Sequence, residues 1–405
     1  MRSAALAVIA LCFIPQALAQ LGPPVETRRA NAPQQTPAFE GQTRAPSSAT
    51  LPPMEGAVVA DDLPGLWAME FLPNGRMLVT AKTGALHIVD RAGNLGPKIP
   101  GVPAVDARRQ GGLLDVALSP DFATDGLVFL SFSEPRGRDG NGTSVARGRL
   151  EIGDGNAAIL RDVSVILRQT PSYRGTMHYG SRLAFAPDGT LFVTTGERSD
   201  RGVRGQSQDL LSGLGKIFRI NPDGSVPANN PFVGDSAALP EIWSYGHRNL
   251  QSAVVTAAGD LWTVEHGPRG GDELNRPLAG RNYGWPIITY GINYSGTEVG
   301  RGITAQAGME QPIYYWDPVI APSGMAEYVG DEFPEFSGAL LVGGLAGQVV
   351  AVLHVEGDRV AREDRIPLPG RIRDVKVGPD GAIYVVTDGR GAPSRILRIT
   401  RAPTG

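Results

Sequence analysis

An all-β fold, arranged as a six-bladed β-propeller, is predicted by three features of the sequence. The first is turn chemistry: 53 glycines and 33 prolines stand among 405 residues without a collagen period, a usage that favours many tight turns over helices. The second is a repeat, a Pro-Asp-Gly-like turn followed by alternating apolar residues, which recurs along the chain beyond residue 54. The third is its spacing of roughly 40 to 80 residues, which matches propeller blades with loop insertions better than a sandwich.

From the N-terminus, residues 1–19 have the layout of an export signal, with Arg2 as the charged head, an apolar run over 4–14 and Ala17-Leu18-Ala19 before Gln20. The run is too short to span a bilayer as a mature helix, and the small-x-small site predicts cleavage after Ala19 and a periplasmic or secreted mature chain. Cys12 lies inside this segment and is the only cysteine, so the mature chain is expected to lack disulfides, thiolate metal sites and a cysteine nucleophile. Leu11 before it argues against a lipoprotein, which needs a small residue there. Residues 20–53 are rich in Pro, Ala, Thr and Gln and are expected to form a disordered linker, leaving 54–405 as the propeller.

The repeat then runs in order. Leu72-Pro73-Asn74-Gly75 precedes an apolar run at 77–80, and Pro120-Asp121 with Asp125-Gly126 precedes one at 127–132. Pro187-Asp188-Gly189 leads into 191–195, and Ala258-Gly259-Asp260 into 261–264. Ser337-Gly338 leads into 339–342, and Pro379-Asp380-Gly381 into 383–387. Asp-Gly or Asn-Gly between short apolar runs marks a hairpin, because the turn needs positive φ at its centre. Six copies predict six blades, whose connecting loops gather round a central channel where function is expected.

The charge balance narrows that function. With 38 Lys+Arg against 41 Asp+Glu, the net charge of −3 argues against a nucleic-acid or anionic-membrane surface, either of which needs clustered cations. Three loops depart from the blade pattern and hold three of the five histidines. Met177-His178-Tyr179-Gly180-Ser181-Arg182 offers a general base near neutral pH, or a histidine bonded across a blade end. Tyr245-Gly246-His247-Arg248-Asn249 pairs a planar cation with an amide, suited to an oxygen-bearing anion or to a structural ion pair. The run from Glu265-His266-Gly267-Pro268 through Asp272 to Asn275 combines glycine carbonyls with carboxylates, suited to Ca²⁺ or to a solvated turn. Zinc on His178, His247 and His266 lacks any supporting ligand spacing. No GxSxG elbow, GxxxxGK[ST] loop or strand-linked GxGxxG is present, so a redox enzyme here needs a cofactor other than a nicotinamide.

In an ordered string of motifs the chain resembles the glucose/sorbosone dehydrogenase family, soluble sugar dehydrogenases that use pyrroloquinoline quinone (PQQ). The string comprises Gln110-Gly111-Gly112-Leu113-Leu114-Asp115, the His178 loop, Leu214-Gly215-Lys216, His247-Arg248-Asn249 and Gly267-Pro268. It continues with Asn282-Tyr283-Gly284-Trp285-Pro286, Ala321-Pro322-Ser323-Gly324 and Arg371-Ile372-Arg373-Asp374. The resemblance implies oxidation of an aldose at its anomeric carbon to a lactone, with electrons passing on to a quinone or cytochrome. It implies His178 as general base, Arg248 and Asn249 at the quinone oxygens, and Gly267 and Pro268 carbonyls on a Ca²⁺ shared with PQQ. Asp272 would orient His178 or tune its basicity, while Gln110, Arg371 and Arg373 would contact the cofactor's carboxylates.

Two positions depart from the family pattern. Ala346 stands where relatives often place a cofactor-binding lysine, a loss of about 1.5–3 kcal/mol of affinity on the scale of charge-assisted hydrogen bonds unless another residue compensates. Met325 falls near a cofactor-facing aromatic position of some members, and a second Ca²⁺ is conceivable near Glu310. The rival readings are a Ca²⁺-dependent propeller lactonase, which would not use the arginine pair, and a cofactor-less propeller that binds a peptide or glycan.

Overall fold

The computed structural model describes residues 21–403, so the predicted export signal, its expected cleavage site and Cys12 lie outside the described residues. Six antiparallel sheets stand round one axis as the blades of a propeller. Blade 1 has three strands, Leu66–Phe71, Met77–Ala81 and Ala85–Val89. Blade 2 runs Leu113–Leu118, Leu127–Pro135, Asn141–Ile152 and Ala158–Arg168. Blade 3 runs Gly180–Phe185, Leu191–Thr195, Lys216–Ile220 and Ile242–Tyr245. Blade 4 runs Leu250–Val255, Leu261–Glu265, Asp272–Asn275 and Tyr314–Trp316. Blade 5 runs Pro322–Glu327, Leu340–Gly344, Val349–Glu356 and Arg359–Pro367. Blade 6 runs Ile372–Val377, Ile383–Thr387 and Ser394–Arg401, and Met54–Leu63 from the other end of the chain adds its outer strand in antiparallel register. That pairing closes the ring.

Each of the six turn signals leads into the second strand of a blade. At the tips, Gly75, Gly189, Gly259, Gly338 and Gly381 have φ between +74° and +86°, the left-handed region that only glycine enters freely. The strands that follow are packed on both faces by neighbouring blades, which is why they read as near-continuous apolar runs. The core is correspondingly divided into six apolar clusters, each bridging two adjacent blades: Leu78 with Leu114, Phe129 with Val193, Ile217 with Leu250, Val264 with Val342, Leu341 with Val375, and Val386 with Met69.

The channel is plugged by one ion cluster. Arg182, on the first strand of blade 3, pairs with Asp115 of blade 2 and with Asp374 of blade 6, both at 2.8 Å. Its Nε donates to the Gln251 carbonyl of blade 4 (2.8 Å), and its guanidinium lies 4.2 Å from the Trp67 ring of blade 1. Asp374 also accepts the Met69 backbone N–H of blade 1 (2.9 Å). Blade 5 makes room for it, since a Cβ on Gly324 would lie 2.0 Å from Asp374 Oδ1.

The expectation of a disordered linker over 20–53 is corrected for its described part, which is a strap laid against the outer strands of blades 4 and 5. Leu21–Pro24 pairs with Pro46–Ser48. Asp364 of blade 5 accepts the Ser48 N–H (2.7 Å) and hydroxyl (2.8 Å), and Asp317 accepts the N–H groups of Asn31 (2.6 Å) and Ala32 (3.0 Å). Gln42 is buried and donates to the Pro312 carbonyl (2.9 Å). The strap is poor in apolar residues, yet carboxylates far along the chain satisfy its backbone donors, and local composition carries no sign of that.

Replacing Arg182 with Met should cost about 3–5 kcal/mol of unfolding free energy, because Asp115 and Asp374 would be left as buried, uncompensated carboxylates. Those carboxyls would then titrate above their unfolded values, so the deficit should shrink as pH falls and grow toward neutrality. Denaturant unfolding of both proteins at pH 4.5 and 7.5 reads this; an equal deficit at both would rule out the ion cluster as its origin.

Candidate active site

First and second strands of a blade are antiparallel, so the start of one and the end of the other meet at the same end of the ring. The candidate residues come from these two places. Gln110, His178, Arg248, Ala321 and Arg371 precede first strands, whereas Glu197, His266, Gly267, Ala346 and Asp388 follow second strands.

His178 sits two residues before the first strand of blade 3, with φ +48°. Its Nδ1–H donates to Glu197 Oε1 (2.8 Å), and both side chains are buried. An ionised carboxylate only accepts, so this bond assigns the proton to Nδ1 and leaves the Nε2 lone pair free to take one. Burial, followed by the charge of Arg248, lowers the imidazole pKa below its ordinary 6.5 against the opposing pull of Glu197. Gln110 braces the loop, its Oε1 accepting the His178 backbone N–H at 2.7 Å.

Asp272 does not orient His178; that expectation is corrected. Its two oxygens accept the backbone N–H groups of Gly267 (2.9 Å) and Ala321 (2.7 Å), so it shapes the Gly267 loop instead. Burial pushes its carboxyl up to about 7 despite these bonds. The residue that does hold His178 is Glu197, missed in the sequence because nothing in Gly196-Glu197-Arg198 stands out locally. A signal was present in the repeat: Glu265, at the end of the second strand of blade 4, holds His247 (3.0 Å) in the same way.

Arg248 is buried, with its Nη1 donating to the carbonyls of His266 and Gly267, each at 2.7 Å. Its guanidinium lies 5.2 Å from the Trp285 ring, and its Nε is buried with no partner. Asn249 Oδ1 accepts from the Gly180 N–H at 3.3 Å. His247 is a structural histidine, fully buried between Glu265 and Ser244 and stacked on Tyr283 at 4.8 Å. His266 donates from Nε2 to the Pro322 carbonyl (2.8 Å), and burial, then Arg248 and His178, hold its pKa near 3. Among the described residues no three His, Cys, Asp or Glu side chains converge as a metal set.

Arg371 and Arg373 line a slot of 210 Å³ together with Trp67, Lys82, Gln110 and Ala346. It opens into a mouth of 760 Å³ that shares Lys82, Gln110, Arg371, Arg373 and Arg390. A larger groove of 860 Å³, lined by Arg138, Tyr173 and Arg174, is open and holds none of these groups. Arg373 pairs with Asp388 (2.7 Å) and Arg371 donates to the Leu345 carbonyl (3.0 Å), while the Nε of each is buried without a hydrogen-bond partner among the described residues. This surplus of donors and positive charge fits a polycarboxylate such as PQQ.

The Gly267 loop suits a hard cation. A Cβ on Gly267 would lie 2.2 Å from the Gly271 oxygen, so the loop curls more tightly than any side chain permits. The Gly267 carbonyl already faces one cation, Arg248, and an oxygen with two lone pairs has room for a second. Met325, by contrast, is buried in the core between blades 4 and 5, away from the slot, and Glu310 faces Arg281 at 3.5 Å.

With this geometry established, comparison with known proteins is informative. The family model for glucose/sorbosone dehydrogenases matches residues 62–398. The chain is 44% identical over 338 residues to the aldose sugar dehydrogenase YliI of Escherichia coli, covering 82% of this chain and 89% of that protein. The apo structure of the soluble aldose sugar dehydrogenase from Escherichia coli superposes with a TM-score of 0.80 at 40% identity, covering 86% of this chain and all of the other (100%). The PQQ-bound aldose sugar dehydrogenase of Streptomyces coelicolor superposes with a TM-score of 0.68 at 29% identity, over 86% of this chain and 100% of that one.

With only five histidines, the ring titrations are separable by NMR. His178 should titrate below the ordinary histidine range in the cofactor-free protein, and Glu197→Gln should lower it further, since the carboxylate is what raises it. A rise in the variant would overturn the assignment of Glu197 as partner of the ring.

Proposed function

The chain belongs to the glucose/sorbosone dehydrogenase family and is a sugar dehydrogenase, and on that premise we propose that it oxidises soluble aldoses at the anomeric carbon to lactones with PQQ and Ca²⁺. The observation that carries this reading is the pairing of a buried histidine, neutral and with Nε2 free, with a cavity walled by arginines. A lactonase would have no use for that arginine wall. Export through the signal at residues 1–19 would place the reaction in the periplasm or outside the cell, with a quinone or cytochrome as electron acceptor.

When bound, PQQ supplies a two-electron acceptor for the hydride of the anomeric carbon, and Ca²⁺ supplies a Lewis acid to polarise it. Arg371, Arg373 and Gln110 would hold the carboxylates of the cofactor, and the Gly267 and Pro268 carbonyls would hold the cation. His178 Nε2 takes the proton of the anomeric hydroxyl as the C–O double bond forms, so that proton and hydride leave the sugar to different acceptors. Glu197 fixes the ring in the tautomer that allows this and stabilises the imidazolium that results. Arg248, held by two carbonyls and Trp285, is a fixed cation close to where negative charge develops, and Asn249 beside it would assist.

Added PQQ and Ca²⁺ should bind the mature protein stoichiometrically and be reduced when an aldose is supplied, as followed by cofactor absorbance. His178→Ala should retain cofactor binding but lose turnover by about 100- to 10,000-fold, the usual contribution of a general base; retained turnover would remove His178 from that role. The acid limb of kcat/KM should lie below pH 6.5, because the base must be neutral and its pKa is lowered. Arg373→Ala should weaken PQQ binding about tenfold to a hundredfold, and unchanged affinity would count against the carboxylate assignment.

A further inference from the structure

Blade 6 carries the arginines of the slot, and its two neighbours flank them symmetrically. Blade 1 contributes Lys82 directly after its second strand, Met77–Ala81, and blade 5 contributes Ala346 shortly after its own, Leu340–Gly344. Both line the same 210 Å³ slot. Five cations, Lys82, Arg109, Arg371, Arg373 and Arg390, stand on the walls of slot and mouth, where Asp388 is the one carboxylate among the described residues. Asp388 is already taken by Arg373 at 2.7 Å and faces Arg371 at 3.8 Å.

Whereas Arg371 and Arg373 both face Asp388, Lys82 pairs with no carboxylate among the described residues. Its ammonium has three donors and one acceptor, the Arg109 carbonyl at 2.7 Å. Burial and then the charge of Arg373 lower its pKa, as expected of a desolvated cation beside another with no anion of its own. An anion entering the slot would relieve both effects.

We propose that Lys82 is a cofactor-binding residue, which supplies from blade 1, toward the carboxylates of PQQ, the positive charge that blade 5 lacks at Ala346. The proposal rests on the reading of the chain as a PQQ enzyme. It relocates the missing lysine to the other side of the same arginine pair, where the ring geometry offers an equivalent loop.

The test is a fluorescence titration of the cofactor-free mature protein with PQQ at fixed Ca²⁺ and without sugar. Lys82→Met should weaken binding about tenfold to a hundredfold, whereas Lys82→Arg should stay within a few-fold of the parent. Adding Ala346→Lys to Lys82→Met should restore at least about tenfold of the loss, because a charge from blade 5 reaches the same anion but cannot repair the loop at Arg109. Unchanged affinity in Lys82→Met overturns the proposal while leaving the PQQ reading intact. Loss without recovery in the double variant also overturns it, since the defect then lies in the Arg109 loop. A parent protein that fails to bind PQQ overturns the reading and the proposal together.

Discussion

Six sheets radiating from one axis leave a channel where their first strands converge, and the ion cluster around Arg182 fills it. Its partners come from blades 1, 2, 4 and 6, with space ceded by blade 5 at Gly324, so one guanidinium sets the relative height of all six first strands. Burying charge is costly, and burial raises the Asp115 carboxyl even beside Arg182. An apolar plug would fill the same space without direction. The ionic one specifies which strand stands opposite which, and a site assembled from all six blades depends on that registry.

The chemistry at the blade ends follows from this fixed ring. His178 is tuned by two opposing charges: Glu197 draws the proton toward the ring, and Arg248 with burial repels it. The second effect prevails, which leaves a neutral base at neutral pH. The same guanidinium that depresses the base stands close to where negative charge would develop on the acceptor. In the proposed reaction, which separates a proton from a hydride, one buried cation would serve both halves provided its position is rigid, and two carbonyls and an indole make it so.

What the sequence revealed and concealed has a physical division. Second strands were legible because both their faces are covered, which makes them apolar throughout, and because a glycine turn announces each. Outer strands such as Arg359–Pro367 were silent, since their burial depends on what lies over them. His178 and Arg248 stood out because they lie on loops that depart from the blade pattern, whereas the Arg371/Arg373 pair was legible only through the family resemblance. Glu197 and Lys82 did not stand out, because each is an ordinary residue that only the fold brings to His178 or to the arginine-lined slot. Asp272 was assigned to His178 through the family resemblance, but its oxygens are occupied by backbone donors.

The strap over 21–48 extends this dependence on distant partners to the Gly267 loop. Asp317 anchors the strap through Asn31 and Ala32, and its carboxylate would lie 3.0 Å from a Cβ on Gly270. The neighbouring Trp316 accepts the Gly271 N–H through its carbonyl (3.0 Å) and pairs with Asp272 across the blade 4 ladder. Asp272 in turn holds the Gly267 N–H. A glycine-rich loop has little stiffness of its own, because glycine loses more conformational freedom on ordering than any other residue. Here stiffness is imported: strap, Asp317, outer strand and Asp272 form one continuous set of hydrogen bonds that ends at the Gly267 N–H. A segment that reads as a solvated tail by composition is thereby part of the scaffold behind the site.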